Sequence, residues 1–312
     1  MKPRLTIICP VYNEEATIPI FYTRARAVLD SLADRYETAL LFSDNASTDR
    51  TREAIDELRR RDAQVFILSL SANVGYQRSV EAGLTHASGD LFVIIDVDCE
   101  DPPEMIRDFL QVHARGYDVV YGERGNRAEP RPLTAMRKLY YRLTRFLADD
   151  TFVIDMAEFC LMTDEVRRAI LQSSNSFPFI RASIGRVGFR RIGIPYDRQE
   201  RVGGQTHYNL LGMVKFAIAG ILSSTTLPLR MTAYLYLPTT LLLAVLLGLW
   251  WAMGVASALL LAALAAFAYV GFALSALSLY LARAYKDGLK HPHHIVFRAR
   301  THLQPNAVEP DR

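Results

Sequence analysis

Residues Asp90 to Glu104 read DLFVIIDVDCEDPPE. An unbroken apolar run, Leu91 to Ile95, is followed at once by Asp96, Asp98, Glu100, Asp101 and Glu104. A short apolar, β-branched run of this kind reads as a buried strand. The acids then stand at its carboxyl end, which is where open α/β sheets bind ligands. On an extended chain, carboxylates at i and i+2 point the same way. Asp96 and Asp98 therefore form a pair with Glu100 on the same side, and oxygen ligands of this kind suit a hard divalent cation. A lone Asp-x-Asp is also what a solvated acidic turn looks like, so its place after the strand is what gives it weight.

The same alternation extends outward on both sides. Leu5 to Tyr12 (LTIICPVY), Ala39 to Asp44 (ALLFSD) and Val65 to Leu70 (VFILSL) are further strand candidates, and Tyr117 to Gly122 (YDVVYG) is one more. Helical spacing fills the gaps at Glu15 to Leu32, Asp49 to Arg61, Tyr76 to His86 and Ile106 to Arg115. The second of these has an N-cap candidate at Ser47 or Asp49. Repeated βα units predict a parallel sheet with helices on both faces. The first strand ends in Pro10-Val11-Tyr12-Asn13-Glu14, and the second in Asp44-Asn45-Ala46-Ser47-Thr48-Asp49. Asp44 could accept a hydrogen bond from a uracil or guanine edge; the same residues also read as plain strand-to-helix turns. Glu123 to Pro132 (ERGNRAEPRP) is the candidate mobile loop, and the basic amphipathic stretch Met136 to Phe146 follows it. No GxGxxG follows a strand, and no P-loop or GxSxG is present, which excludes the nucleotide and hydrolase sites those motifs build.

The second half of the chain changes character. Between Arg230 and Arg283 there is no Asp, Glu, Lys, Arg or His. A helix needs about 20 apolar residues to cross a bilayer, so this stretch holds two spans, Tyr234 to Met253 and Ser257 to Leu281. Trp250 and Trp251 stand at the turn end, and Tyr234, Tyr236 and Tyr280 at the other, where interfacial aromatics belong. Arg230 precedes the spans; Arg283, Lys286, Lys290, Arg298 and Arg300 follow them; the turn carries no charge. The positive-inside rule puts both ends in the cytoplasm. Tyr208 to Leu229 reads as interfacial helix; as a third span it would put Lys215 in the bilayer core. The N-terminus has no apolar core ahead of a cleavage site. Cys9, Cys99 and Cys160 have no metal-ligand spacing and fit a reduced compartment. A net charge of +3 argues for no nucleic-acid partner. The expected organisation is a catalytic domain at 1–205, interfacial helices at 206–230, a transmembrane hairpin at 231–283 and a basic cytoplasmic tail at 284–312.

PVYNE, DNASTD, NVGYQRSVEAGL, DVDCEDPPE, YDRQERVGGQTHY and the tail LKHPHHIV occur in one order along nearly the whole chain. Together they resemble a family-two glycosyltransferase of the GT-A fold, of the polyprenyl-phosphate hexosyltransferase type. Dolichol-phosphate mannose synthase and the bactoprenol glucosyltransferases are of this type. The resemblance implies an inverting, metal-dependent transfer of a hexose from a nucleotide sugar to a polyprenyl (undecaprenyl) phosphate, for cell-envelope glycan or lipid modification. It implies Mg²⁺ or Mn²⁺ as cofactor, and a UDP-sugar in preference to GDP-mannose. Pro10, Tyr12, Glu14 and Asp44 would line the nucleoside pocket. Asp96, Asp98 and Glu100 would hold the metal and diphosphate. Arg124, Arg137, Lys138 and Arg201 would bind the acceptor phosphate. Asp155 or Glu158 would lie beside the reacting carbon. The chain departs from the pattern at Asn45 (usually Asp), Glu100 (often Gln), Glu158-Phe159-Cys160 (usually Asp-Phe-Arg) and His207 (usually Lys).

The chemistry suits these residues. A lipid phosphate has a second pKa near 6, so its oxygen is mostly anionic at neutral pH and needs little general-base help. It needs a cation to hold it, and arginine's fork suits phosphate. Two other readings fit the sequence less well. A processive polysaccharide synthase would carry Gln-x-x-Arg-Trp, but both Trp residues here lie in a span. A non-catalytic nucleotide-sugar-binding membrane scaffold would not need the acidic pair. Localisation follows as the inner (cytoplasmic) membrane, multi-pass. Oligomeric state is left open, a homo-oligomer included.

Overall fold

The apolar runs become the middle of one seven-stranded sheet in the computed structural model, which describes residues 2–124, 156–172, 179–200, 225–289, 291–305 and 307. The strands are β1 (Arg4–Val11), β2 (Glu37–Asp44), β3 (Val65–Ser69), β4 (Leu91–Ile94), β5 (Val119–Arg124), β6 (Met156–Thr163) and β7 (Arg191–Tyr196). Their order across the sheet is β3-β2-β1-β4-β6-β5-β7. The β1–β2, β2–β3, β1–β4 and β5–β7 pairs are parallel. β1 is buried along its length from Leu5 onward, as a strand covered on both faces must be.

Helices supply the covers. The helices are α1 (Ile18–Asp30), α2 (Thr51–Arg61), α3 (Tyr76–His86), α4 (Ile106–His113), α5 (Asp164–Leu171) and α6 (Ile180–Arg186). Phe21, Ile55, Ile106 and Phe109 join Leu5, Ile7 and Phe42 in one core. Val80, Leu84, Val166, Ile180 and Ile184 join Ile8, Leu41 and Ile94 in the other. Alternate residues of β1 thus feed opposite cores, the period-two rule of a strand.

Three expectations are corrected here. The sheet is mixed, because β6 lies antiparallel between β4 and β5. Its sequence, MAEFCLMT, is a buried strand that the βα rhythm does not announce. β4 ends at Ile94, so Asp96 and Asp98 lie beyond the strand. Asp98 is in the turn that follows, with Cys99 at φ 59°. Finally, α2 begins at Thr51 with Arg50 at the cap position. Asp49 accepts from the Thr51 N–H at 3.0 Å, whereas the Ser47 hydroxyl accepts from the Asn13 N–H at 3.1 Å.

Two further helices, α7 (Leu227–Met253) and α8 (Ala256–Gly288), are long and apolar enough to cross a membrane, with mean hydropathy 1.8 and 2.2 in their most apolar windows. Both begin earlier than the spans read from sequence, and α8 also ends later, at Gly288. Gly254, at φ 64°, turns one into the other, in the left-handed region glycine adopts without strain. Trp251 is 85% exposed and Phe267 80%, which is apolar surface that water would not favour.

After α8 the chain returns to the sheet. Ile67 and His302 exchange backbone hydrogen bonds at 3.0 and 2.8 Å, and the Phe297 N–H reaches the Ser69 carbonyl at 2.8 Å. Within the basic tail read from sequence, residues 295–302 lie along the outer edge of β3. The Gln304 amide also donates to Thr6 at 2.9 Å. Of the expected interfacial segment, residues 206–224 lie outside the described residues and Leu227–Arg230 open α7; residues 125–132 of the expected loop and the basic stretch 136–146 also lie outside them.

Candidate active site

The carboxyl ends of β1, β2 and β4 converge on one edge of the sheet. Asn13 and Ala46 turn there with φ 57° and 59°. The Asn13 side-chain oxygen accepts from the Thr48 N–H at 2.8 Å, which ties the first turn to the second. Asp44 is 4% exposed and accepts from the Ser47 N–H at 3.0 Å. Asn45, also buried, donates to Asn73 at 3.0 Å and accepts from the Val74 N–H at 2.9 Å. An aspartate at 45 could accept from Val74 but could not donate to Asn73, so the amide suits this junction with the loop before α3.

Pro10 is buried in β1, and Tyr12 and Glu14 are half-buried in the turn that follows it. The Glu14 carboxylate accepts from the Thr17 hydroxyl at 2.7 Å, and its backbone N–H donates to Thr51 at 2.7 Å.

Beyond β4, exposure alternates. Val97, Cys99 and Asp101 are buried at 2%, 0% and 1%, while Asp96, Asp98 and Glu100 are half-buried. The three acids read from sequence do share a face, although a turn and not a strand puts them there. Their carboxylates are held differently. Asp96 accepts from the Tyr76 hydroxyl at 2.7 Å. Asp98 accepts from the Glu100 N–H at 3.0 Å. Glu100 is ion-paired with Arg198 at 2.5 Å. Asp101 is held by the Tyr196 hydroxyl and, at 3.4 Å, by Arg198. Burial, then the charge of Asp98, pushes Asp96 up to about 7; Asp101 and Glu158 add to this and the Tyr76 hydrogen bond opposes it.

Among the described residues, no group of three or more His, Cys, Asp or Glu is placed to hold a metal ion. The pairing with Arg198 takes Glu100 out of the expected set of three. Asp96 and Asp98 alone still fit a Mg²⁺-type ion. Such an ion is commonly held by one or two carboxylates, with phosphates and water completing its octahedron. The neighbouring charge of Asp98 that helps raise Asp96 is also what a bound cation relieves.

β6 brings a further acid to this edge. β6 pairs Cys160 with Ile94 in antiparallel register. Two residues further along each chain, Glu158 comes alongside Asp96, and its charge is felt there. Glu158 is 7% exposed. Its Oε1 accepts from Gln77 at 2.9 Å and from Arg181 at 2.8 Å, whereas its buried Oε2 has no hydrogen-bond partner among the described residues.

The structure therefore brings Pro10, Tyr12, Glu14, Asp44, Asp96, Asp98, Glu100 and Glu158 to one edge. Arg124 closes β5. Asp155, Arg137, Lys138 and Arg201 lie outside the described residues. Sequence reasoning missed Tyr76, Gln77, Arg181 and Arg198. The first two sit in NVGYQRSVEAGL, and Arg198 in YDRQERVGGQTHY, but their roles need the tertiary contacts to be seen.

The family model for Glycosyl transferase family 2 matches residues 6–171. The uncharacterized glycosyltransferase YkcC of Bacillus subtilis is 35% identical over 73% of this chain and 71% of its own length. A prophage bactoprenol glucosyl transferase homolog of Escherichia coli is 31% identical over 74% of this chain and 76% of its own. The bactoprenol glucosyl transferase of Shigella phage SfV is 31% identical over 74% and 75%.

Proposed function

We propose that this chain, which belongs to glycosyl transferase family 2, transfers a hexose from a nucleotide sugar to a polyprenyl phosphate in the membrane. The acidic edge carries the reading. Asp96 and Asp98 stand at the carboxyl end of a central strand of a GT-A-type sheet, with a buried acid, Glu158, beside them. Bactoprenol glucosyl transferases among the relatives supply the acceptor class, and α7 and α8 suit an acceptor that stays in the bilayer.

The residues divide the work. Asp44 and the turn after β1 receive the nucleoside. Asp96 and Asp98 hold a divalent cation, Mg²⁺ or Mn²⁺, which when bound offsets the charge that grows on the departing nucleoside diphosphate. Tyr76 orients Asp96, and the Asp98 carboxylate is fixed by the turn it caps. The lipid phosphate attacks the face opposite the leaving group and inverts the anomeric carbon. Glu158 lies on the sugar side, where a carboxylate steadies positive charge on the ring. Arg124, Arg137, Lys138 and Arg201 are proposed for the acceptor phosphate. A UDP-sugar is the favoured donor, by analogy with the bactoprenol type. The catalytic domain and both ends face the cytoplasm at the inner membrane.

The test uses the full chain in lipid nanodiscs with radiolabelled UDP-glucose, UDP-N-acetylglucosamine and GDP-mannose, with polyprenyl phosphate present or absent. Label should move into the lipid phase with a UDP-sugar and stop with EDTA. Label released only as free sugar, or no lipid product from any donor, would count against the reading.

A further inference from the structure

We propose that Arg181 and Gln77 are positioning residues for sugar transfer, fixing Glu158 so that its Oε2 accepts a hydrogen bond from a hydroxyl of the donor sugar. This rests on the reading of the edge as a glycosyl-transfer centre, and it assigns the sugar-facing half of that site.

Gln77 and Arg181 come from different helices, α3 and α6, yet both donate to the same oxygen, Glu158 Oε1, at 2.9 and 2.8 Å. Gln77 is itself held, because its carbonyl oxygen accepts from the Ile180 N–H at 3.1 Å. Ile180 opens α6, so that N–H is one of the donors a helix start leaves unmet. The amide therefore has one orientation, with its oxygen on the helix and its nitrogen on Glu158. Arg181 is the next residue of the same helix. Together they fix both the position and the rotation of the carboxylate.

The other oxygen is left with nothing. Oε2 is buried and unpartnered among the described residues, on a side chain 8% exposed. An ionic oxygen in that condition loses its water without compensation, and native proteins seldom keep one without a use. A purely structural ion pair would be expected to engage both oxygens, as a guanidinium fork readily does. Here the guanidinium and the amide converge on one.

The chemistry of the missing partner follows from the charge. Glu158 stands beside Asp96, whose pKa its charge raises, so a phosphate is repelled from it and a neutral donor is accepted. On a nucleotide sugar, the groups that donate without negative charge near the reacting carbon are the sugar hydroxyls. The cation of Arg181 makes a third buried carboxylate tolerable next to Asp96 and Asp98.

The experiment measures transfer from UDP-glucose to polyprenyl phosphate by the full chain in nanodiscs, and binding of UDP and UDP-glucose by calorimetry. Arg181→Met and Gln77→Leu should each lower kcat/KM for UDP-glucose by about 10- to 100-fold and weaken UDP-glucose binding, on the scale of one charged hydrogen bond. UDP binding should stay unchanged. Arg181→Lys keeps the charge and one donor, so it should recover part of the loss, and it keeps the test open should Arg181→Met lower the melting temperature sharply. In a Glu158→Gln background, Arg181→Met should cost little more, since it acts through Glu158. Equal weakening of UDP and UDP-glucose, or full additivity with Glu158→Gln, would overturn the assignment. So would wild-type behaviour in both variants. A wild-type chain inert towards UDP-glucose, UDP-N-acetylglucosamine and GDP-mannose alike overturns the reading of the site beneath it; where another of the three is the donor used, the variants are read with that sugar and its nucleotide.

Discussion

A model carboxyl of aspartate titrates near 3.9, and Asp96 is pushed up to about 7, first by burial and then by Asp98. The folded pKa lies above the unfolded one. Any stability tied to this group is therefore fully present below about pH 4 and is lost as pH rises through about 7. In EDTA, Asp96→Asn should match the wild-type melting temperature at low pH and exceed it increasingly towards pH 8. A difference that stays flat across this range would show that Asp96 is not the strained group. Proton and cation compete for the same oxygens, so Mn²⁺ affinity should fall by up to about tenfold per pH unit below 7. The neighbouring Asp98→Ala should leave circular dichroism unchanged and cut transfer on the order of 100-fold or more, the scale of losing metal stabilisation. Near wild-type turnover at saturating Mn²⁺ would remove the metal role.

At the scale of elements, the strands that carry the nucleotide side were legible because each is a continuous apolar run closed by polar residues. β6 was not, since a buried strand of mixed composition has no period of its own that sets it apart. The acids after β4 were legible as a group because they follow an apolar run, though the strand stops short of them at Ile94. Glu158 was legible only through the family resemblance, and its partners only through the packing of α3 and α6. That packing has a specific dependence. A methyl group added at Gly83 on α3 would lie 2.5 Å from the Ile8 Cγ2 in β1. Helix propensity favours alanine there by ~1 kcal/mol, but overpacking a buried contact of this kind costs about 1–3 kcal/mol. Gly83→Ala should therefore lower the melting temperature, and it should also reduce transfer, because α3 carries Tyr76 and Gln77 at its start. A rise in stability would mean that helix and strand do not approach this closely.

For the whole molecule, the return of the chain after α8 constrains how it can sit in a membrane. Residues 295–302 cover the edge of β3 through backbone hydrogen bonds at Ile67, Ser69 and Ser71, and the Arg52 guanidinium reaches the Arg300 carbonyl at 2.7 Å. A bare edge strand invites pairing with other chains, so the segment protects the sheet as well as closing it. Nothing in the composition of the tail pointed to this, because its basic residues read equally well as a solvated end. A segment docked on β3 has to lie on the same side of the bilayer as β3. Two crossings allow that, while one or three do not. We propose from the basic flanks of the hairpin that this side is the cytoplasm. Labelling with a membrane-impermeant maleimide can test it directly, since Cys9, Cys99 and Cys160 are all buried and give little background. Val255→Cys, in the exposed turn between α7 and α8, should label in intact cells. Ala299→Cys, exposed on the returning segment, should label only after permeabilisation. If Ala299→Cys labelled from outside, the returning segment and the catalytic domain could not share the cytoplasmic side, and either the two-span arrangement or its orientation would have to be abandoned.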